Sequence, residues 1–150
     1  NESNRSSIFN SCDFCKFLLN SFICFYQDNK EEIERLLKSR PADTVKINLM
    51  NELCWDLEFS DPKYLFEAGN KILDISEEIN YQKGIAQSLR MMGKACYVQG
   101  NYNKSTEYLT RAKTLFYEDS LINDYANCLN LLCIIYYYQS DYPEAISHYI

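Results

Sequence analysis

The side chains that could carry out chemistry are two cysteines, one histidine and a few acidic pairs. Cys12 and Cys15 are separated by two residues, the spacing of zinc sites and of dithiol redox sites. A zinc site needs a second pair of ligands, and the only histidine, His148, is far away in the sequence. We therefore interpret the two cysteines as free thiols and expect no metal and no other cofactor.

The sequence contains no motif for an enzyme. Gly-rich phosphate loops, nucleophile elbows and paired catalytic carboxylates are all missing. The acidic pairs Glu31–Glu32 and Glu77–Glu78 fit the solvated faces of helices, and His148 fits a helix surface. We therefore expect no catalytic residues and no enzyme activity, which leaves a binding module as the main functional class.

Composition favours one folded helical domain. The chain has 150 residues, of which 47% are hydrophobic and 15% aromatic. Only 4 Gly and 3 Pro are present, which favours long helices over many short strands. The net charge of -6 argues against nucleic acid as a partner of this segment.

Charge is distributed unevenly along the chain. Residues 41–80 carry three basic and nine acidic side chains, a balance of -6, whereas residues 81–120 carry six basic and three acidic, a balance of +3. Two interpretations remain open, namely ordinary solvated faces or a polarised binding surface.

The seven cysteines favour a reducing compartment. Cys54, Cys96 and Cys133 lie within apolar periodic segments, where a free cysteine behaves as a small hydrophobic residue. We expect these three thiols to be reduced and buried. The corresponding prediction for location is cytoplasmic.

The apolar segment at residues 14–26, FCKFLLNSFICFY, allows two interpretations. One is the remnant of a secretory signal, which would make the protein periplasmic. The other is an amphipathic helix, because Asp13, Lys16, Asn20 and Gln27 form a polar stripe at helical spacing. The segment is too short and too polar to span a bilayer, so no transmembrane span is expected.

Capping residues predict where helices begin. Asp28 and Glu31 form a capping box that predicts a helix start ahead of Ile33. Asp43 is a predicted N-cap, and Asp61 followed by Pro predicts another helix start. Further helices are predicted at about 82–99, 103–117 and 121–139, followed by one that begins near residue 142.

Residue types recur about every 40 positions. The recurring positions are Leu65, Ser105 and Ala145 in the second helix of each predicted pair, and Cys54, Gly93 and Cys133 in the first. A Gly in the middle of a helix costs about 1 kcal/mol relative to Ala. Gly93 therefore indicates a place where two helices approach closely.

This pattern resembles the tetratricopeptide repeat. The second unit matches the family pattern best, with Leu89, Met92, Gly93, Gly100, Tyr102, Ser105 and Ala112. The resemblance implies an all-α fold, a right-handed superhelix of stacked antiparallel helix pairs. Its predicted parts are an N-terminal helical cap at 1–42 and repeats at 43–150, divided at about 43–80, 81–120 and 121–150, the last incomplete.

In this family, the first helix of each pair lines a concave groove that binds a peptide or protein. The positions that the resemblance assigns to the groove are Asn48, Asn51, Trp55, Glu58, Gln87, Arg90, Lys94, Tyr97, Asn127, Asn130, Ile134 and Tyr137. An Asn side chain offers both a donor and an acceptor to a peptide backbone. Trp55 and Tyr137 are the predicted anchors. The basic clamp that some members use for a terminal carboxylate is absent.

These observations predict a module that binds a protein or a peptide. The resemblance implies the sensory or regulatory N-terminal part of a larger bacterial signalling protein, of the histidine kinase or transcriptional regulator type. The alternative is a self-standing scaffold, adaptor or chaperone-like protein. The chain ends within a predicted helix, so an exposed C-terminal end that pairs two copies into a homodimer is a further expectation.

Overall fold

The computed structural model describes residues 13–39, 42–57, 60–140 and Ser147 of the chain. The described helices, in chain order, are α1 (Asp13–Lys38), α2 (Thr44–Asp56), α3 (Pro62–Glu78), α4 (Gln82–Val98), α5 (Tyr102–Glu118) and α6 (Ile122–Tyr138). No β-strand occurs in these residues, so the predicted all-α class is confirmed for them. The helix predicted to begin near residue 142 lies outside the described residues.

Four consecutive helices, α3 to α6, have the same length and the same turns. Each contains 17 residues, and each begins 20 residues after the previous one. One turn residue after each helix has a positive φ; these are Asn80 (54°), Gly100 (75°), Ser120 (57°) and Ser140 (61°). The spacing of 40 residues read from the sequence is therefore two structural units of 20.

Backbone hydrogen bonds define these turns as Schellman motifs. After α4, the amide of Asn101 donates to the carbonyl of Cys96 at 2.8 Å, and the amide of Gly100 donates to Tyr97 at 2.9 Å. The turns after α3 and α5 repeat this pair of bonds. Such bonds satisfy carbonyl groups that a helix end leaves without partners.

Two of the predicted helix starts are confirmed and one is wrong. The carboxylate of Asp43 accepts from the amide of Lys46 at 2.7 Å, and that of Asp61 accepts from the amide of Tyr64 at 3.0 Å. No helix begins at Asp28, because α1 runs without interruption from Asp13 to Lys38. No helix breaker precedes Asp28, and the residue pair of a capping box fits the exposed side of a continuing helix equally well.

The C-terminal half of α1 packs against α2 and α3. Ile33 and Leu36 are buried in the core that these helices share. Lys30 Nζ lies 2.6 Å from the carboxylate of Asp61. It also lies over the rings of Tyr26 and Tyr64, at 4.6 and 4.5 Å from their centres. The hydrogen bond from Lys30 lowers the pKa of Asp61 to about 2.

Several apolar side chains in the N-terminal half of α1 are exposed. Leu18, Phe22, Ile23 and Phe25 are each at least half exposed. The predicted helix is therefore present, and its C-terminal half packs against α2 and α3. Within the described residues, no helix combines the length and the apolar character needed to cross a membrane.

The burial of the cysteine side chains agrees with the prediction made from the sequence. Cys54, Cys96 and Cys133 are buried with free thiols, as predicted, and Cys128 is buried as well. Burial raises the pKa of Cys54 and of Cys128 to about 12. These side chains are therefore part of the packing and are protonated at neutral pH.

α4 and α5 approach each other closely at Gly93. A Cβ atom at this position would lie 2.8 Å from Cγ of Leu109 and 3.3 Å from its backbone nitrogen. The Ser105 hydroxyl donates a hydrogen bond of 2.6 Å to the carbonyl of Gly93. The prediction that small residues are needed here for packing is confirmed.

We expect Gly93→Ala to lower the free energy of unfolding. Ala gains about 1 kcal/mol in helix propensity, but overpacking against Leu109 costs about 1–3 kcal/mol. Gly69→Ala is the matched control, because its Cβ would meet the flexible side chain of Met92 at 2.8 Å. Urea unfolding should show Gly93→Ala as the less stable of the two variants. Equal stabilisation by both substitutions would contradict the close approach.

The turns yield a second prediction. Ser120→Gly should raise the free energy of unfolding, because a left-handed residue other than Gly costs about 1–2 kcal/mol. Gly100→Ala should lower it by about 1 kcal/mol through backbone strain alone, since no atom beyond the two neighbouring residues lies within 4 Å of the added Cβ. Thermal or urea unfolding measures both changes. If neither substitution changed stability, the turns would not have this conformation.

Candidate functional site

A groove lies between α2 and α4, on the helices that carry most of the predicted site residues. The α2–α4 groove has a volume of about 240 Å³ and is lined by Asn48, Asn51, Glu52, Trp55, Lys83, Gln87 and Arg90. α2 packs against α4, and α4 contacts α6. Five of the predicted positions thus come together in one place.

Arg90 joins the three helices. Its guanidinium lies over the ring of Trp55, with 4.7 Å between Cζ and the ring centre. One guanidinium nitrogen is 4.0 Å from the carboxylate of Asp124 on α6. A cation over the face of an indole ring is attracted by the ring quadrupole. The middle helix therefore holds a charged side chain between an aromatic ring on α2 and a carboxylate on α6.

Trp55 and Arg90, both predicted to line the groove, differ in how exposed their side chains are. Trp55 is 52% exposed, as expected of an anchor. The side chain of Arg90 is only 14% exposed, less than predicted, because Trp55 and Asp124 cover it.

Amide groups continue the polar lining of the groove. Asn51 Nδ2 donates to Gln87 Oε1 at 3.1 Å, which links α2 to α4. Asn48 Oδ1 accepts from the hydroxyl of Tyr81 at 2.9 Å. These bonds fix the orientation of the two Asn side chains.

Two polar atoms in the groove are buried without a hydrogen-bond partner among the described residues. They are Oδ1 of Asn51, an acceptor, and Nε of Arg90, a donor. Both residues line a narrow cleft of about 20 Å³ at the edge of the groove, together with Trp55 and Gln87. An unpaired buried polar group costs about 1–3 kcal/mol, so packing elsewhere in the fold must offset the cost of these two atoms.

The remaining predicted residues that the structure describes do not line this groove. Tyr97 lies in a tyrosine cluster with Tyr102 and Tyr138, with 6.1–6.5 Å between ring centres. Tyr137 contacts the edge of this cluster and is 62% exposed.

Four other predicted positions are spread over α4 and α6. Asn127 and Asn130 are exposed, and Lys94 and Ile134 are half-buried. Glu58 lies outside the described residues, as does most of the C-terminal end that was predicted to pair two copies, residues 141–146 and 148–150.

Sequence reasoning missed several residues of the site. Glu52, Lys83 and Asp124 lie one turn or less from predicted positions, so helical spacing could have found them. Asp124, for example, precedes Asn127 by three residues. Tyr81 precedes α4 in a turn, and no spacing rule points to it.

The described residues contain no metal centre. No group of three or more His, Cys, Asp or Glu side chains within them could hold a metal ion. Cys12 and His148 lie outside the described residues, and the side chain of Cys15 is not described either.

Comparison with known proteins finds no matching family model, no matching curated protein and no matching solved structure. The resemblance to the tetratricopeptide repeat therefore rests on the residues of this chain and remains a hypothesis.

Proposed function

We propose that the chain is a binding module for a protein or peptide, built as a tetratricopeptide-like superhelix. The partner would lie along the face that α2, α4 and α6 share. The observation that carries this proposal is the position of Arg90, stacked on the half-exposed ring of Trp55 at the edge of a groove.

The chemistry of this pair suits recognition. Trp and Arg are enriched among the residues that contribute most to binding at interfaces. Trp55 presents a large apolar surface to solvent, and Arg90 holds the ring from one side. A side chain that is already ordered loses less conformational entropy when a partner binds.

A binding role also agrees with the polar lining. The groove is lined by the amide side chains of Asn48, Asn51 and Gln87 and by the charged side chains of Glu52, Lys83 and Arg90. Extended peptides carry an amide donor and a carbonyl acceptor at nearly every residue. The proposal needs no catalytic residue, and we place the module in the sensory or regulatory part of a larger signalling protein.

A peptide selected from a random display library against the chain tests this proposal. Trp55→Ala and Arg90→Ala should each weaken its binding by about 30-fold, because loss of such an anchor costs about 2 kcal/mol. Isothermal titration calorimetry gives the Kd values, and urea unfolding confirms that the variants remain folded.

The matched control is Tyr117→Ala. Tyr117 is an aromatic residue on α5 that is 66% exposed and does not line the groove. Its removal should leave the Kd unchanged. Selected peptides that bind both groove variants as tightly as the original chain would show that the binding site is elsewhere.

A further inference from the structure

We infer that the N-terminal half of α1 joins two copies of this chain, each helix packing antiparallel against its twin through Leu18, Phe22 and Phe25. This surface is separate from the proposed peptide site, because no residue of α1 lines the α2–α4 groove. Three features carry the inference, namely where α1 passes beyond the rest of the fold, the stripe that its apolar residues form, and the lack of charge beside that stripe.

α1 projects beyond the helices against which it packs. It contains 26 residues, whereas α2, which is joined to it by five residues and is therefore antiparallel, contains 13. The hydroxyl of Tyr26 donates to the carboxylate of Asp61, at the start of α3, at 3.0 Å. Tyr26 thus marks the level at which α2 ends and α3 begins. The part of α1 before Tyr26 is about 20 Å long at 1.5 Å per residue.

This projecting part is exposed on all sides. From Leu18 to Phe25, every side chain that the structure describes is exposed. Phe22 is 60% exposed and Phe25 is 53% exposed. Helical segments of this length are marginal in water without tertiary packing, and apolar rings in contact with water add to the cost. A partner that packed against these rings would therefore stabilise the helix.

The exposed apolar residues continue the stripe that α1 buries in its other half. Leu18 precedes the buried Leu36 by five full turns of helix, and Phe22 precedes the buried Ile33 by about three turns. Residues at this spacing share one helix face, and Ile33 and Leu36 face α2 and α3. The exposed stripe therefore faces the same side, beyond the level at which α2 and α3 lie. No described element fills the place beside it.

A second copy fills this place by symmetry. Its α1 can enter only antiparallel, because in a parallel pair it would occupy the space of α2 and α3. In the antiparallel pair, the projecting part of each α1 lies where a longer α2 would lie in the other copy, and the two parts have equal length. A two-fold axis at Phe22 places this ring against its twin and Leu18 against Tyr26. Such a contact closes with two copies and does not continue into a fibre.

The residues beside the stripe suit a twin better than another occupant. Residues 17–27, FLLNSFICFYQ, contain no charged side chain. Near a two-fold axis every charge faces its own copy, so an uncharged segment avoids repulsion. Helices that lie on membranes usually carry Lys or Arg on the polar face, and that face here consists of Asn20, Ser21 and Gln27. Helices that select a different partner use charges beside the apolar seam, which this segment does not provide.

The size of the contact determines its expected strength. A buried Phe covers about 150–250 Å², so the exposed parts of Leu18, Phe22 and Phe25 amount to about 300 Å² per copy. A stable interface buries about 800 Å² per partner. We therefore expect a reversible dimer whose population depends on the concentration of the chain.

Sedimentation equilibrium of the full chain tests the inference. A reducing agent prevents a disulfide at the exposed Cys24. We expect the average mass to rise with concentration from 17.7 kDa towards twice that value. Phe22→Glu should raise the Kd of the dimer by about 30-fold or more, because it removes the central contact and places two like charges at the axis. Phe22→Leu keeps an apolar contact and should raise the Kd much less.

Two further variants separate this surface from general effects. Phe25→Glu changes a second residue of the stripe and should also weaken the dimer. Tyr117→Glu is the matched control, because Tyr117 is an aromatic residue on α5 that is 66% exposed, and it should leave the Kd unchanged. Circular dichroism and urea unfolding should show that all these variants are folded, since the substituted side chains are exposed.

A chain that remains monomeric at every concentration would overturn the inference. So would a dimer whose Kd is the same in Phe22→Glu and Phe25→Glu, because the contact would then lie elsewhere, such as at the C-terminal end. Binding of the monomeric chain to vesicles of phosphatidylcholine and phosphatidylserine, lost in Phe22→Glu, would overturn it in favour of a lipid surface. None of these results affects peptide binding in the groove, which Trp55→Ala and Arg90→Ala test separately.

Discussion

The turn that ends each of the helices α3 to α6 is the constraint on which the rest of the structure depends. In each turn one residue has a left-handed conformation, and after α3, α4 and α5 two backbone hydrogen bonds close the end of the helix. Since every unit is 20 residues long, the chain reverses direction at equal intervals. Packing at Gly93 can then bring α4 and α5 close along their length.

The proposed site depends on how α2, α4 and α6 pack together. Because α2 packs against α4 and α4 contacts α6, a side chain on α4 can interact with both neighbours. Arg90 does so through Trp55 and Asp124. None of these contacts is local in sequence, so the groove exists only if the helices are stacked correctly. Its two unpaired polar atoms are tolerated because packing elsewhere stabilises the fold.

Much of this structure could be predicted from local sequence. The N-caps at Asp43 and Asp61 and the close approach at Gly93 each have a residue type that few other environments favour. The period of 20 was harder to see, because only one of the four left-handed turn residues is Gly. Ser120 and Ser140 adopt this conformation without the usual sequence signal.

Other features depend on contacts between distant residues. α1 continues through Asp28 although the local sequence predicted a helix start there. Phe22 and Phe25 are exposed although they are apolar. The contact of Arg90 with Asp124 depends on how α4 and α6 are placed, which helical periodicity alone does not determine. Helical periodicity predicted which helix faces carry the site. Which side chains contact each other on those faces could be determined only from the structure.

The stacking of Arg90 on Trp55 is the central contact of this account, and ring-current shifts measure it directly. Protons on the Arg90 side chain, including Nε–H and the δ-methylene group, should resonate upfield of their usual positions in the nuclear magnetic resonance spectrum. They should return to those positions in Trp55→Leu. Shifts that are ordinary in the original chain and unchanged in the variant would contradict the stack and, with it, the groove between α2 and α4.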